Sequence, residues 1–389
     1  MGKGVKIVLA VVMIVSVMGL GVTGCAKEVA PTTPTTPTTP TPAKPAPTAP
    51  APVKPITLKY AWPIGTTHYL YPGVAGFKKE IEEKSGGRYK IDVYPAQSLV
   101  KVAAGIDSLR TGICDILGTC SSWHPGVFTM DNIYAIPGLV QSGVQATALR
   151  NELFNEFNKP QWDKAGVTEV GGRNQPPSEV FSKSKPLYTI EDFKGLSIRT
   201  VFQPQAKLMS NLDALPVNMP SVDLYEAMSK GVVDAACFYA SSVVQENIYE
   251  TGKPGCYVII GGVGSGPYQT FMNKEYFENM PNADQQMFMD AGYEWNTVWV
   301  PLTEDAASVD AVEFMMDYGI QVIWWSDAEM ARLNKEYKEP LYGEWADEMD
   351  ADGWPGSAMV AKLQEISPTI PPKYPLDPKW EELKAKAGY

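Results

Sequence analysis

The chain has 389 residues, more than one ordinary hydrophobic core serves, so two lobes or domains are expected. Hydrophobic residues make up 44% and charged residues 20% of the sequence, which are the proportions of a globular protein. The net charge of −11 argues against binding to nucleic acid, which needs a basic face, and against electrostatic attachment to anionic lipid.

Residues 1–25 have the pattern of a bacterial lipoprotein signal peptide. Lys3 and Lys6 precede the apolar run Ile7–Leu20, which ends at a cleavage site and is too short to be interpreted as a spanning helix. The small residues before Cys25 resemble a lipobox, in which the cysteine is diacylated and becomes the mature N-terminus. An ordinary signal peptide with a chance cysteine is the alternative. We predict export and a lipid anchor on Cys25, with the folded part outside the cytoplasm at the cell membrane.

Residues 26–56 are rich in proline and threonine and carry almost no large apolar side chains, so they cannot form a core. Dense proline favours polyproline II, which extends about 3.1 Å per residue. We predict a semi-rigid tether between the anchor and the folded part; a glycosylated stalk would have a similar effect.

Strands and helices then alternate along the chain. The first block predicts a strand over Thr57–Trp62, a helix around Val74–Ile81, a strand over Tyr89–Val93, a helix over Val102–Leu109 and a strand over Ile113–Leu117. The second block predicts strands over Gly195–Thr200, Leu215–Met219, Val232–Phe238, Tyr257–Ile260 and Tyr268–Met272, with helices over Pro204–Asn211 and Val222–Lys230. The alternation indicates an α/β fold with largely parallel sheets, whose ligands bind at the carboxyl ends of the strands.

Few helix breakers interrupt Asp284–Tyr318, which predicts one long or kinked helix, and the C-terminal part is also expected to be helical. The run Gly261–Gly266 lacks the lysine of a phosphate-binding loop, so we interpret it as a flexible connection between lobes.

Signatures of catalysis and metal binding are few. His68 and His124, the two histidines, lie in no metal-binding helix motif, and the spacing of Cys114 and Cys120 with His124 is not a familiar ligand set. We therefore predict no metal, no cofactor and no enzyme activity. Four cysteines besides Cys25 could form disulfides in an exported protein, but the sequence does not give their connectivity: Cys114, Cys120, Cys237 and Cys256.

Five segments resemble, in order, the solute-binding proteins of tripartite ATP-independent periplasmic (TRAP) transporters, of the dicarboxylate-binding DctP-like type. The segments are SGGRYKIDVYP at Ser85–Pro95, LRTGICDI at Leu109–Ile116, EDFKGLSIR at Glu191–Arg199, YEAMSKGVVD at Tyr225–Asp234 and SGPYQTFMNKEYF at Ser265–Phe277. No single match is decisive, but five in the right order are specific.

The resemblance implies a two-lobe periplasmic-binding-protein (Venus flytrap) fold with a long helix crossing both lobes. It also implies a receptor that captures a small organic acid by hinge closure and delivers it to the TRAP permease in the membrane. We predict that lobe I comprises residues 57–175 and 264–302, and that lobe II comprises 176–263 and 303–389 with the C-terminal helices. A binding protein of an ATP-driven (ABC) importer is the alternative, and a lipoprotein hydrolase is disfavoured because no triad or metal set is present.

In this resemblance Arg199 matches the family's usual carboxylate anchor, and a planar guanidinium suits a bidentate grip on a carboxylate. A second arginine that many members carry would fall near Ser178 or Glu179, and the nearest arginine here is Arg173. The expected ligand-binding residues are Arg199, Arg173, Trp62, His68, Tyr69, Trp123, Phe202, Phe238, Tyr239 and Tyr268.

The chain departs from the family pattern after Asp234, where Ala235–Tyr239 is apolar and aromatic, and at Leu215, where an asparagine usually precedes the proline. These departures favour a monocarboxylate with an apolar or aromatic body over a dicarboxylate. For each aromatic residue, packing in the core is the alternative.

Overall fold

The computed structural model describes residues 54–124, 126–183, 185–252, 255–370 and 377–389, so the predicted signal peptide, Cys25 and all but the end of the tether lie outside the described residues. The strands are β1 Ile56–Ala61, β2 Tyr89–Tyr94, β3 Ile116–Cys120, β4 Val167–Asn174, β5 Glu179–Ser182, β6 Ser197–Thr200, β7 Leu215–Asn218, β8 Ala235–Phe238, β9 Cys256–Ile259, β10 Pro267–Asn273 and β11 Gln321–Trp324.

The helices of the described residues are between five and 19 residues long. They are α1 Tyr71–Lys84, α2 Gly105–Arg110, α3 Gly143–Leu153, α4 Lys159–Ala165, α5 Gln203–Asn211, α6 Leu224–Ser229, α7 Ala240–Gln245, α8 Lys274–Glu278, α9 Asn282–Gly292, α10 Val300–Tyr318, α11 Asp327–Leu333, α12 Glu339–Ala351, α13 Gly356–Ile366 and α14 Asp377–Lys386. Among the residues that the structure covers, none of the helices is both long and apolar enough to cross a bilayer.

The strands form two mixed sheets, which correspond to the two expected lobes. Sheet one has the order β2-β1-β3-β10-β4, and sheet two has the order β11-β9-β5-β8-β6-β7. In each sheet one strand runs against its neighbours: β10 in sheet one and β5 in sheet two. The expectation of largely parallel sheets is wrong at these two strands. Each enters its sheet directly from the other sheet, without the helical crossover that would make it parallel.

Two short segments connect the sheets and are hydrogen-bonded to each other. Residues 175–178 lead from β4 to β5, and residues 260–266 lead from β9 to β10. The Ser178 amide donates to the Gly264 carbonyl at 2.8 Å, and the Val263 amide donates to the Ser178 carbonyl at 2.7 Å. Gly264 has φ of 121°, and a Cβ there would lie 2.6 Å from the carbonyl oxygen of Ala135. The glycine run therefore connects the two sheets as expected, but as a hydrogen-bonded ribbon.

A long helical segment passes along both sheets, which confirms the predicted crossing helix. Helices α9 and α10 are joined by a π-helical stretch, Tyr293–Trp299, so the backbone stays helical from Asn282 to Tyr318. Its first part contacts α1 and β4 of sheet one, and its last part contacts α7 and β11 of sheet two. A Cβ on Gly292 would lie 1.4 Å from the carbonyl oxygen of Val170 in β4, so only glycine permits this approach.

The structure has a strand at each predicted position, but two of these strands begin three residues later than expected, and three further strands were not predicted. The third strand begins at Ile116 and not at Ile113, because the amides of Ile113 and Cys114 both donate to the Ser108 carbonyl and close the end of α2. Strands β4, β5 and β11 were not predicted, and β11 interrupts the C-terminal part that was expected to be helical. The predicted residue limits of the two lobes stay predictions, although sheet one draws its strands from 56–174 and 267–273.

Candidate functional site

A small cavity lies where the carboxyl ends of β3, β6 and β8 and the start of β10 come together. Tyr268 pairs with Cys120, and because β10 is antiparallel to β3 its first residues reach the same edge as the end of β3. The cavity volume is about 40 Å³. Its lining residues are Ile64, His68, Leu70, Cys120, Trp123, Gln175, Arg199, Val201, Phe202, Ser221, Phe238, Tyr239, Ser242, Glu246 and Tyr268.

Arg199 lies on the cavity wall near the end of β6 and is 2% exposed. Its Nε donates to the Met219 carbonyl at 3.1 Å, and its Nη1 donates to the Cys237 carbonyl at 3.0 Å. The guanidinium carbon lies 5.0 Å from the ring centre of Phe238. Within the described ranges, no carboxylate forms an ion pair with this guanidinium and Nη2 has no hydrogen-bond partner. Burial lowers the pKa of Arg199, while the charge of Glu246 opposes that shift.

Glu246, which follows the last residue of α7, is the second charged side chain of the cavity. Burial raises the pKa of its carboxyl to about 7, and the positive charge of Arg199 limits the rise. Sequence reasoning missed this residue. Its stretch of α7 carries no motif, and only the fold brings the end of α7 to the end of β6.

The predicted aromatic residues separate into a wall and a layer behind it. His68, Trp123, Phe202, Phe238, Tyr239 and Tyr268 line the cavity. Trp62 packs behind Tyr268, with ring centres 5.5 Å apart, and Tyr69 stacks on His68 at 4.5 Å. Neither Trp62 nor Tyr69 lines the cavity, because each is one layer further from it.

Several polar groups of the cavity wall lack the hydrogen-bond partner or the charge that such side chains usually have. The hydroxyls of Tyr239 and Tyr268 are buried and have no hydrogen-bond partner among the described residues. Burial and, to a smaller extent, the charge of Arg173 lower the pKa of His68 to about 4, so the imidazole is neutral at neutral pH. The cavity therefore presents free hydroxyls, one buried guanidinium and one carboxyl.

Arg173 lies behind the wall and already has an anionic partner. Its guanidinium makes two bonds to Glu304 of α10, Nε to Oε2 at 2.9 Å and Nη2 to Oε1 at 3.1 Å, and both side chains are buried. Its guanidinium carbon lies 4.7 Å from the ring centre of Tyr268. The structure thus brings Arg199, but not Arg173, to the cavity.

The cysteines are free and buried, and they form no disulfide among the described residues: Cys114, Cys120, Cys237 and Cys256. Burial raises the pKa of the Cys120 thiol on the cavity wall to about 11, so it stays protonated. In the part of the chain that the structure describes, no three side chains of His, Cys, Asp or Glu come together as a metal site.

A larger depression of about 670 Å³ lies beside the crossing segments, where Pro176, Pro177 and Gly261 form part of its wall. It contains no arginine, and its two buried carboxylates are engaged: Glu179 accepts from the amides of Ile260 and Gly262, and Asp305 accepts from those of Gly143 and Val144. Size alone would favour this depression. The smaller cavity is the better candidate, because it holds an unpaired buried cation at the carboxyl ends of the strands.

Known proteins place this architecture in a family. The model of bacterial extracellular solute-binding protein, family 7 (DctP), matches residues 61–348. A solute-binding protein of Albidiferax ferrireducens is 27% identical over 271 residues, which cover 67% of this chain and 76% of the relative.

Two crystal structures share the fold at lower identity. A TRAP solute-binding protein of Bordetella bronchiseptica with bound (R)- and (S)-mandelate has a TM-score of 0.73 and 22% identity, covering 82% of this chain and 100% of that one. A marine metagenome TRAP solute-binding protein specific for aromatic acids, in complex with 3-hydroxybenzoate, has a TM-score of 0.75 and 20% identity, covering 82% and 99%. Since the family match spans most of the chain, the protein belongs to the DctP family, the bacterial extracellular solute-binding proteins of family 7.

Proposed function

We propose that the protein is a TRAP receptor that binds a small organic carboxylate in the cavity, with Arg199 as the anchor. The observation that carries this proposal is the buried guanidinium, held by two backbone carbonyls and facing the cavity without a carboxylate partner among the described residues. A buried charge in this state is costly, and an incoming carboxylate compensates it with a charge-assisted, two-pronged contact.

The ligand we propose is a monocarboxylate with an aromatic body. Aromatic side chains from both sheets surround Arg199, and the two fold relatives named above were crystallised with mandelate and 3-hydroxybenzoate. An apolar cavity of about 150 Å³ holds benzene, whereas this cavity has about 40 Å³. The walls must therefore separate to admit an aromatic acid. Rotation about the paired crossing segments is the motion we propose.

The remaining parts of the proposal concern delivery. We propose that Cys25 carries the lipid anchor, that residues 26–56 act as the tether, and that the loaded receptor docks on the TRAP permease. The family match does not favour the ABC alternative, and a solute-binding role leaves no need for a catalytic set. A Cys25→Ala variant should move from the membrane to the soluble fraction; retention in the membrane would overturn the anchor.

The receptor proposal is tested by releasing bound material from the purified protein for mass spectrometry and by thermal-shift titration with a panel of acids. We expect aromatic monocarboxylates to raise the melting temperature and their matching neutral amides to have no effect. A response to amides or sugars equal to the response to acids would overturn the carboxylate assignment. A response to short dicarboxylates alone would overturn the aromatic preference.

A further inference from the structure

The cavity contains one positive and one negative side chain, and both come from the side of sheet two. Arg199 lies near the end of β6, and Glu246 follows α7, which packs on the last part of the long helix. The walls facing them include His68, Trp123 and Tyr268, which are neutral or apolar. We therefore expect the polar end of a ligand to bind on the sheet-two side of the cavity, with the neutral residues of the sheet-one side packed over it.

An anion bound to Arg199 lies in the same small cavity as the Glu246 carboxyl. Arg199 and Glu246 line the same cavity, and the charge of each opposes the shift that burial causes in the pKa of the other. In an enclosed space of low dielectric, two carboxylates repel unless a donor lies between them or one is protonated. A ligand with only a carboxylate leaves this repulsion uncompensated.

The hydrogen-bonding groups of the cavity wall consist of several donors and one carboxylate acceptor. The guanidinium and the two unpartnered tyrosine hydroxyls, Tyr239 and Tyr268, can donate to a carboxylate. Glu246 in its ionised form can only accept. The cavity is thus complementary to a ligand that carries a carboxylate and, close to it, a group that donates a hydrogen bond.

We propose that Glu246 is a specificity-determining residue that accepts a hydrogen bond from a hydroxyl or ammonium group beside the ligand's carboxylate. The inference rests on the proposed carboxylate-binding function and narrows it to 2-hydroxy or 2-amino acids with an apolar body. Ligands without that donor bind only when Glu246 takes up a proton.

The pH dependence of binding separates the two kinds of ligand. The charged group that acts on Glu246 is Arg199 of β6, and the charge of Glu246 in turn contributes to the raised pKa of Tyr69, which precedes α1. The Glu246 carboxyl has a pKa of about 7 before binding. A bound carboxylate without a donor raises this pKa, so such a ligand should bind up to about tenfold more weakly for each pH unit above 7. A ligand whose donor faces the ionised carboxylate should lose little affinity over that range.

The test uses three matched acids: phenylacetate without a donor, mandelate with a hydroxyl and phenylglycine with an ammonium group. Calorimetry at pH 6 and pH 8 is done with the wild-type protein, with Glu246→Gln, and with Glu250→Gln as a control on an exposed glutamate nearby. At pH 8 we expect the wild type and the control to bind mandelate or phenylglycine about tenfold or more tightly than phenylacetate. In Glu246→Gln the preference should fall to about threefold or less, and phenylacetate binding should no longer depend on pH. The preferred donor ligand shows whether the donor is a hydroxyl or an ammonium group.

The outcomes distinguish this inference from the function on which it rests. If all three acids bind with similar affinity to the wild type and to Glu246→Gln, the role of Glu246 is wrong while the carboxylate receptor stands. If none of them binds, both the receptor for an aromatic acid and the role of Glu246 are wrong. Melting temperatures of the unliganded variants identify any loss of fold, which the near-isosteric Glu246→Gln exchange should not cause.

Discussion

Replacing Arg199 by lysine tests the carboxylate anchor directly, because lysine keeps the positive charge and removes the planar fork. An ammonium group cannot make two parallel hydrogen bonds to one carboxylate. It also lacks the two separate nitrogens, Nε and Nη1, that donate to the carbonyls of Met219 and Cys237 and hold the guanidinium in place. The substitution therefore changes both binding and stability, and the two effects can be worked out separately.

For binding, truncation of one partner in a buried, hydrogen-bonded charge pair costs about 2–5 kcal/mol. Lysine retains a charged donor, so we expect the lower end, about 2 kcal/mol, which raises Kd roughly 30-fold. For stability, two hydrogen bonds from a charged group to the backbone are weakened. We expect the free energy of unfolding to fall by about 2 kcal/mol.

The assay is calorimetric titration with the acid that gives the largest thermal shift, at a temperature well below the melting point of the variant. Arg150→Lys is the matched control. Arg150 is as deeply buried as Arg199 and contacts aromatic rings in the same way, but its guanidinium is paired with Glu169 and lies away from the cavity. This control should lose stability and keep the wild-type Kd.

A Kd for Arg199→Lys within about threefold of the wild-type value would contradict the anchor role. Equal weakening of binding in both arginine variants would also contradict it, since that result would trace the effect to general loss of stability.

Three further predictions concern stability and use chemical denaturation. Glu304→Gln leaves Arg173 as a buried charge without its partner, so the free energy of unfolding should fall by about 3–5 kcal/mol; a loss below about 1 kcal/mol would show that the pair is dispensable. Gly292→Ala should prevent stable folding, because the added methyl group would overlap the backbone of β4. Gly343→Ala, in the exposed interior of α12, should instead raise the free energy of unfolding by about 0.5–1 kcal/mol. Similar free energies of unfolding for the two variants would refute the close approach of helix and strand. Burial lowers the pKa of His124 to about 4, below its unfolded value near 6.5. The neutral imidazole therefore contributes its full share to the free energy of unfolding above pH 6.5, and this share is lost as the pH falls towards 4. From pH 7 to pH 5 the wild type should lose about 2 kcal/mol more than His124→Gln, and parallel pH profiles would contradict this burial effect.

The sequence predicted those parts of the fold whose signal is local. Alternation marked β1 and β2, and the spacing of Val74, Phe77 and Ile81 marked the buried face of α1. Strand β4 was missed because Gly171 and Gly172 in its middle are typical of a turn. Gly171 is needed there by the long helix, since a Cβ would meet the carbonyl of Gly292 at 2.7 Å. A contact between segments more than a hundred residues apart leaves no local signal.

The residues of the candidate cavity could be anticipated only where family motifs reach it. Arg199 is the last residue of a segment that resembles the family, and the structure places it on the cavity wall. Glu246 follows α7 in a stretch without any motif, and only the folded structure shows that it lines the same cavity as Arg199. Trp62 and Tyr69 were predicted as wall residues because they are aromatic and near strand ends, a criterion that does not separate a wall from the layer behind it.

The position of β10 has a consequence for the order in which the protein can fold. This strand lies between β3 and β4 in the middle of sheet one, but it follows every strand of sheet two except β11 in the chain. A chain made from its N-terminus therefore has β1–β4 long before the strand that joins β3 to β4. Sheet one stays divided, with two unpaired inner edges, until synthesis has passed Asn273. Sheet one, whose first strands begin the folded chain, therefore cannot be joined into one sheet until β10 has been made. A nascent chain halted before Pro267 should expose those edges to chaperones.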